Sequence, residues 1–146
     1  MKWVKYEYEE GSILPDGSKV PNIPTLKMML IRKDIKKFIV GDAVIDTGFD
    51  YSFYSNIEVS NFLEGLKPVG KIQLKSVKEP IECEVYEIEA SIVTEDLKQI
   101  KKLGKIKIDV PMSIENLTGD ALVGREILNS LTLKLDGKYT EISEKS

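Results

Sequence analysis

The sequence predicts one mainly β domain, closed or sandwich-like, with short helices. Three observations point there. Short apolar or alternating runs recur along the chain, turn-forming Gly, Pro and Asp residues separate them, and helical spacing is confined to brief stretches. At 146 residues the chain can bury a core without disulfides or metals, and it reads as a single domain.

Residues 1–24 read as an N-terminal arm. Trp3 to Glu9 suits a short strand, Pro15-Asp16-Gly17-Ser18 a turn, and Pro21 and Pro24 oppose regular ladder pairing. Thr25 to Ile31 (TLKMMLI) is an apolar strand, Arg32 to Lys36 a charged, solvated turn, and Lys37 to Asp46 a second strand, together an antiparallel hairpin. Then the period changes. Val59, Phe62, Leu63 and Leu66 fall on one helical face, Ser55 and Glu58 have capping-box spacing, and Gly65 and Pro68 end the helix. Lys71 to Leu74 and Ile81 to Ile92 form a second hairpin with its tip at residues 75–80. Thr94 to Leu103 reads as a brief helix capped by Thr94, or as a polar loop. Lys105 to Val110 alternates as a strand, and Ala121-Leu122-Val123 is a short buried strand stopped by Gly124. Glu126 to Ser130 gives one helical turn, Leu131 to Leu135 a strand, Asp136-Gly137 a hairpin turn, and a last strand runs to Ile142. Residues 25–142 are then the folded domain and 143–146 a frayed tail.

Absences narrow the chemistry. The chain has no histidine, which excludes Ser-His-Asp and Cys-His catalysis and His-ligated metal sites. Its one cysteine, Cys83, lies on the apolar side of an alternating run and reads as a small buried hydrophobe, not a reactive thiol. A net charge of −3 offers no basic face for nucleic acid. The N-terminus MKWVKYEYEE lacks the apolar core and cleavage site of a signal peptide, and no run is long enough to span a membrane, so a cytoplasmic location is expected. Without secretion, the glycosylation sequon Asn116-Leu117-Thr118 carries no meaning.

The chemistry-bearing stretch is Ala43-Val44-Ile45-Asp46-Thr47-Gly48, a carboxylate delivered to the end of a buried strand. Asp and Gly are turn formers, so the tripeptide alone is a weak signal. It gains weight from Ala121-Leu122-Val123-Gly124-Arg125, which lies where a partner strand is wanted. Peptide hydrolysis by water needs a base for the nucleophile and an acid for the carbonyl oxygen or leaving nitrogen. A single ionised carboxylate is only a base. Two carboxylates about 3 Å apart cannot both ionise, so they share one proton and act as acid and base together. The chain has no second Asp-Thr-Gly or Asp-Ser-Gly, so the second carboxylate must come from a second copy across a twofold axis.

These two segments resemble the active-site signature and the hydrophobic-hydrophobic-glycine segment of retropepsin-like (retroviral-type, single-domain) aspartic proteases. The resemblance covers roughly Thr25 to Ile142. It implies a closed β-barrel with one or two short helices, acting as a twofold homodimer, and an aspartic endopeptidase without cofactor or metal. Asp46 would activate the water, Thr47 would hold the two Asp loops together across the subunit boundary, and Gly48 would let substrate backbone approach. Arg125 would pair with Asp50 beside Gly124 and brace the loop. Gly48, Asp50 and the hairpin-tip residues Ser76, Val77 and Lys78 would meet an extended peptide or unfolded protein substrate, with 75–80 as a lid. This tip has no glycine, unlike the family's glycine-rich flap. Phe49, Tyr51, Phe53 and Tyr54 read as core and interface packing rather than a specificity pocket.

Two rivals stand beside this reading. One is a non-catalytic dimerisation or peptide-binding module on the same fold, since fold alone does not fix activity. The other is a divalent-cation site at Asp42, Asp46 and Asp50, but along a strand Asp42 and Asp46 would lie roughly 13 Å apart, too far for one ion.

Overall fold

The structure, a computed structural model, describes residues 3–117 and 119–145. Thr118 of the sequon, the first two residues of the predicted arm and the last of the tail lie outside them. The described residues form strands β1 (Val4–Glu7), β2 (Thr25–Arg32), β3 (Lys37–Ile45), β4 (Phe53–Tyr54), β5 (Gly70–Leu74), β6 (Ile81–Val93), β7 (Gln99–Pro111), β8 (Ala121–Val123), β9 (Leu131–Leu135) and β10 (Tyr139–Glu144). Helix α1 (Ile57–Phe62) follows β4, a 3-10 turn (Ile114–Asn116) follows β7, and helix α2 (Arg125–Leu128) follows β8.

Six strands neighbour one another in the order β2, β3, β8, β4, β7, β6, and β2 also pairs with β6, which closes a barrel. The expected fold class is therefore the observed one: mainly β, with a closed barrel and two short helices. Strand β5 pairs with the free edge of β6. Period-2 alternation explains the core. Leu26, Met28 and Leu30 point inward from β2, meeting Ala90 and Ile92 of β6 and Ile106 and Ile108 of β7. Burying each large apolar side chain contributes roughly 1.5–3 kcal/mol. Two barrel pairings are parallel, β3 with β8 and β4 with β7, and the first aligns Ile45 with Val123 at the place where the Asp loop begins.

A smaller sheet, in the order β1, β10, β9, packs beside the barrel. Tyr6 of β1 is fully buried, and its hydroxyl donates to the Val93 carbonyl oxygen at 2.6 Å, stitching the two sheets together. The last strand runs two residues past Ile142, and Ser143 is buried. Between β1 and β2 the chain makes two isolated bridges, Glu9 with Ile23 and Ile13 with Lys19.

Three local expectations change. Residues 94–103 are not helical. The Thr94 hydroxyl accepts from the Lys98 amide at 2.9 Å and Leu97 takes a positive φ of 68°, so the chain turns tightly and enters β7 at Gln99. Gly104, at φ 71°, sits at a bulge where the β6–β7 register shifts between Ala90 and Ser91. Pairing with the long β6 strand outweighs local helix preference here. Helix α1 is capped one residue later than expected. Asn56, not Ser55, accepts from the Val59 amide at 2.9 Å, while the buried Ser55 hydroxyl pairs with that of Ser60. Arg32 is no solvated turn residue. It ends β2 buried, and Nη1 donates to the carbonyls of Phe62 and Glu64 at 3.0 and 2.7 Å, closing the C-terminal end of α1.

Candidate active site

Asp46 follows β3 directly. Its amide donates to the Val123 carbonyl at 3.0 Å, continuing the β3–β8 ladder by one bond. The chain then reverses, with the Phe49 amide donating to the Asp46 carbonyl at 3.1 Å. Within that turn the Gly48 amide donates to Asp46 Oδ1 at 3.0 Å. The carboxylate is half-buried and held by its own loop, while Thr47 and Gly48 are exposed. A Cβ at Gly48 would lie 3.3 Å from the same carboxylate oxygen, closer than side chains normally sit.

The start of α2 packs under this loop. The amides of Gly124 and Arg125 donate to the carbonyls of Ser52 and Phe49, both at 2.9 Å, and the Glu126 amide reaches Tyr51. Gly124 is required by that approach, since a Cβ there would stand 2.1 Å from the Tyr51 carbonyl oxygen and 2.7 Å from that of Phe49. Arg125 Nη1 donates to the Thr47 carbonyl at 3.1 Å, and Nη2 pairs with Asp50. One guanidinium thus clasps both ends of the loop. Both partners are substantially exposed, so the ion pair itself contributes at most about 1 kcal/mol. Its effect is positional.

Asp46, Gly48 and Asp50 open into a cavity of about 660 Å³. Phe49, Tyr51 and Tyr54 line it, Phe49 meeting both tyrosines edge-on with ring centres 6.1 Å apart. The expected core packing holds for Phe53, in the barrel core, and for Tyr54, in a second small core with Leu74 and Cys83 against which Phe49 packs, while Phe49, Tyr51 and Tyr54 also form cavity wall. The Tyr54 hydroxyl donates to the Asn116 carbonyl at 2.6 Å, tying the 3-10 turn to the wall, and burial pushes that hydroxyl's pKa up to about 12. The β5–β6 hairpin contributes Gln73, Leu74, Lys75 and Ile81 to the same cavity. Its tip residues Ser76, Val77 and Lys78 are exposed and off the wall, and Val77 is fully in solvent.

Among the described residues no group of three or more Asp, Glu, Cys or His side chains is arranged to hold a metal ion. Asp42 faces Lys27 instead, at 3.6 Å. Cys83 is completely buried, and burial, followed by the Asp109 charge, pushes its thiol up to about 12.

One acidic residue escaped the sequence reading. Asp109 of β7 is 3% exposed, and its Oδ2 has no hydrogen-bond partner among the described residues. Burial, then the nearby Glu126 carboxylate, pushes its pKa up to about 6, against the opposing pull of Lys107. The alternation Lys105-Ile106-Lys107-Ile108-Asp109 puts it on the polar side of a strand, which read as solvent. Tyr54 and Val85 flank it in register on the two neighbouring strands, and no local pattern announces its burial.

No protein-family model matches the chain, and no curated protein matches it by sequence. By structure it is similar to a retropepsin-like aspartic protease from Rickettsia conorii, with a TM-score of 0.52 and 14% identity over 94% of this chain and 97% of that one. The likeness spans barrel and small sheet together and shows the fold. No helix among the described residues is long and apolar enough to cross a membrane.

Proposed function

We propose that the chain is an aspartic endopeptidase of the retropepsin-like kind, completed by a second copy of itself. The observation that carries this is Asp46: a half-buried carboxylate at the end of a barrel strand, fixed by the Gly48 amide and opening into a cavity beneath a hairpin. The fold of the Rickettsia conorii protease supports the reading. Across a twofold axis two Asp46 carboxylates share one proton. The ionised one takes a proton from water as it attacks the peptide carbonyl, and the protonated one supplies the acid. Their titration belongs to the pair. Thr47 and Gly48 hold the loop and admit substrate backbone, and Asp50, Gly124 and Arg125 brace it. The hairpin at 75–80 closes over an extended peptide by moving its exposed tip residues Ser76, Val77 and Lys78 inward. The chain acts in the cytoplasm.

The test compares wild type with Asp46→Asn on an unfolded casein-like protein between pH 3 and 7, with sedimentation in parallel. The expected outcome is a dimer in both cases and a loss of cleavage of about a thousandfold or more in the variant. Equal inactivity of both proteins across that range would leave the non-catalytic peptide-binding module. Full specific activity from a monomer would remove the shared-proton scheme.

A further inference from the structure

A second cavity of about 650 Å³ shares Tyr51 with the Asp46 cavity and is otherwise built from different residues. Strand β5 runs along both. Gln73 and Leu74 line the first, and Gly70, Lys71 and Ile72 line the second. Among the described residues β5 pairs with β6 alone, so its other edge keeps unpaired backbone N–H and C=O groups. An extended peptide seated at Asp46 can take that edge as a partner strand and continue past Tyr51 into the second cavity. Leu74 and Gly70 are four residues apart, roughly 13 Å of strand, and a peptide alongside covers that distance in about four residues of its own.

The two cavities differ in chemistry. Phe49, Tyr54 and Leu122 give the first an aromatic and aliphatic wall, whereas Lys71, Lys101, Lys102, Lys105 and Lys107 line the second. Lys101 is engaged by Glu144 at 3.0 Å. The other four lysines are exposed and make no ion pair among the described residues. Of the three carboxylates on the same wall, Asp109 is sealed from water and Glu126 accepts the Ser52 hydroxyl at 3.2 Å, which leaves Glu87 opposite Lys107 in the β6–β7 register. Positive charge is therefore in excess where the cavity opens, with exposed Val69 and half-buried Ile72 as an apolar strip beside it. Val85 joins Gly70 to Asp109 across the sheet, and Lys107 is the next residue on that face, one two-residue step of about 6.8 Å further. A peptide side chain about four to six residues from the one seated against Leu74 comes level with it.

We propose that the peptide cleaved at Asp46 is also recognised through acidic residues, Asp or Glu, about four to six residues from the cleaved bond, which the lysines of the second cavity bind. This rests on the proteolytic reading of Asp46 and adds a substrate class to it. In a twofold dimer each half of the peptide meets one copy of the second cavity, so acids are favoured on both sides of the bond.

Fluorescence anisotropy with the Asp46→Asn protein, in which peptides stay intact, tests the recognition. The probes share one apolar core and carry flanks of glutamate, glutamine or lysine on both sides. We expect the glutamate-flanked peptide to bind about tenfold tighter than the glutamine-flanked one, and the lysine-flanked one to bind weakest. Adding Lys105→Gln and Lys107→Gln should level glutamate and glutamine flanks. So should about 1 M salt with all lysines in place, since charges are then screened beyond about 3 Å. No saturable binding of the glutamate-flanked peptide, equal binding of glutamate and glutamine flanks at low salt, or a glutamate preference that persists in the folded lysine variant or in high salt would overturn the proposal. Cleavage of the same peptides by wild type is read separately. Cleavage without flank preference fails only the acidic recognition, and flank-dependent binding without cleavage fails only the proteolytic reading.

Discussion

Asp46, just after β3, and Asp109, within β7, both lie close to Tyr51 or Tyr54, yet the fold treats them oppositely. Asp46 leaves β3 into a loop that turns back on it, so its carboxylate is half-open and receives the Gly48 amide. Asp109 stays within β7, between Tyr54 and Val85, where it is sealed and one oxygen goes without a donor. The first opens into the cavity beside β5 and β6. The second is held near the edge of ionisation by burial and by Glu126. Residue type is constant, so the contrast isolates what backbone register does to one functional group.

The comparison breaks most severely at Gly124, which packs the start of α2 against the Asp46 loop. Gly124→Ala would drive a methyl group to 2.1 Å from a backbone oxygen that cannot swing aside. The loop and α2 must separate, at a cost of about 3 kcal/mol or more. Chemical denaturation should show that loss in the midpoint. The Asp109 side of the barrel should retain its hydrogen-exchange protection in whatever fraction remains folded.

That glycine also shows how far the sequence could be read. The hairpin of β2 and β3, the Asp loop, the short β8 strand and the turn at Gly124 each have a local signature, and each is where periodicity and turn chemistry put it. Barrel closure through the β2–β6 pair has none, because it depends on residues some sixty positions apart. Local preference also misleads where ladder length decides: 94–103 carries helix-like signals, yet the thirteen-residue β6 strand draws the following residues into β7. Asp109 was illegible for the same reason. Period 2 says which face a residue takes, but not whether another strand covers that face.

Asp109→Asn sharpens the comparison next. The folded carboxyl's pKa is raised to about 6, from an ordinary value of 3.8, so between those values the folded chain keeps a proton that the unfolded chain releases. Stability therefore falls as pH rises through that window and levels off above it, by about 3 kcal/mol at most. Asparagine cannot ionise, so the variant should lose this slope and gain stability near neutral pH. Urea midpoints measured between pH 4 and 7 would show it, and an unchanged slope would place the ionisation elsewhere.

Arg125→Gln should give the smallest stability change and is the finest test of the Asp46 side. Its ion pair with Asp50 is exposed, so the melting temperature should move by the equivalent of about 1 kcal/mol or less, and less still in high salt. The same side chain also holds the carbonyl of Thr47 in the Asp46 loop, which glutamine is too short to do while still reaching Asp50. Under the proposed function, kcat should therefore fall about tenfold while KM changes little, since a misplaced carboxylate weakens the transition state more than substrate binding. Arg125→Lys separates charge from shape, because an ammonium keeps the attraction to Asp50 but cannot fork between two acceptors. If lysine restores turnover, the charge suffices; if it does not, the two-ended clasp on the loop is what sets the position of Asp46.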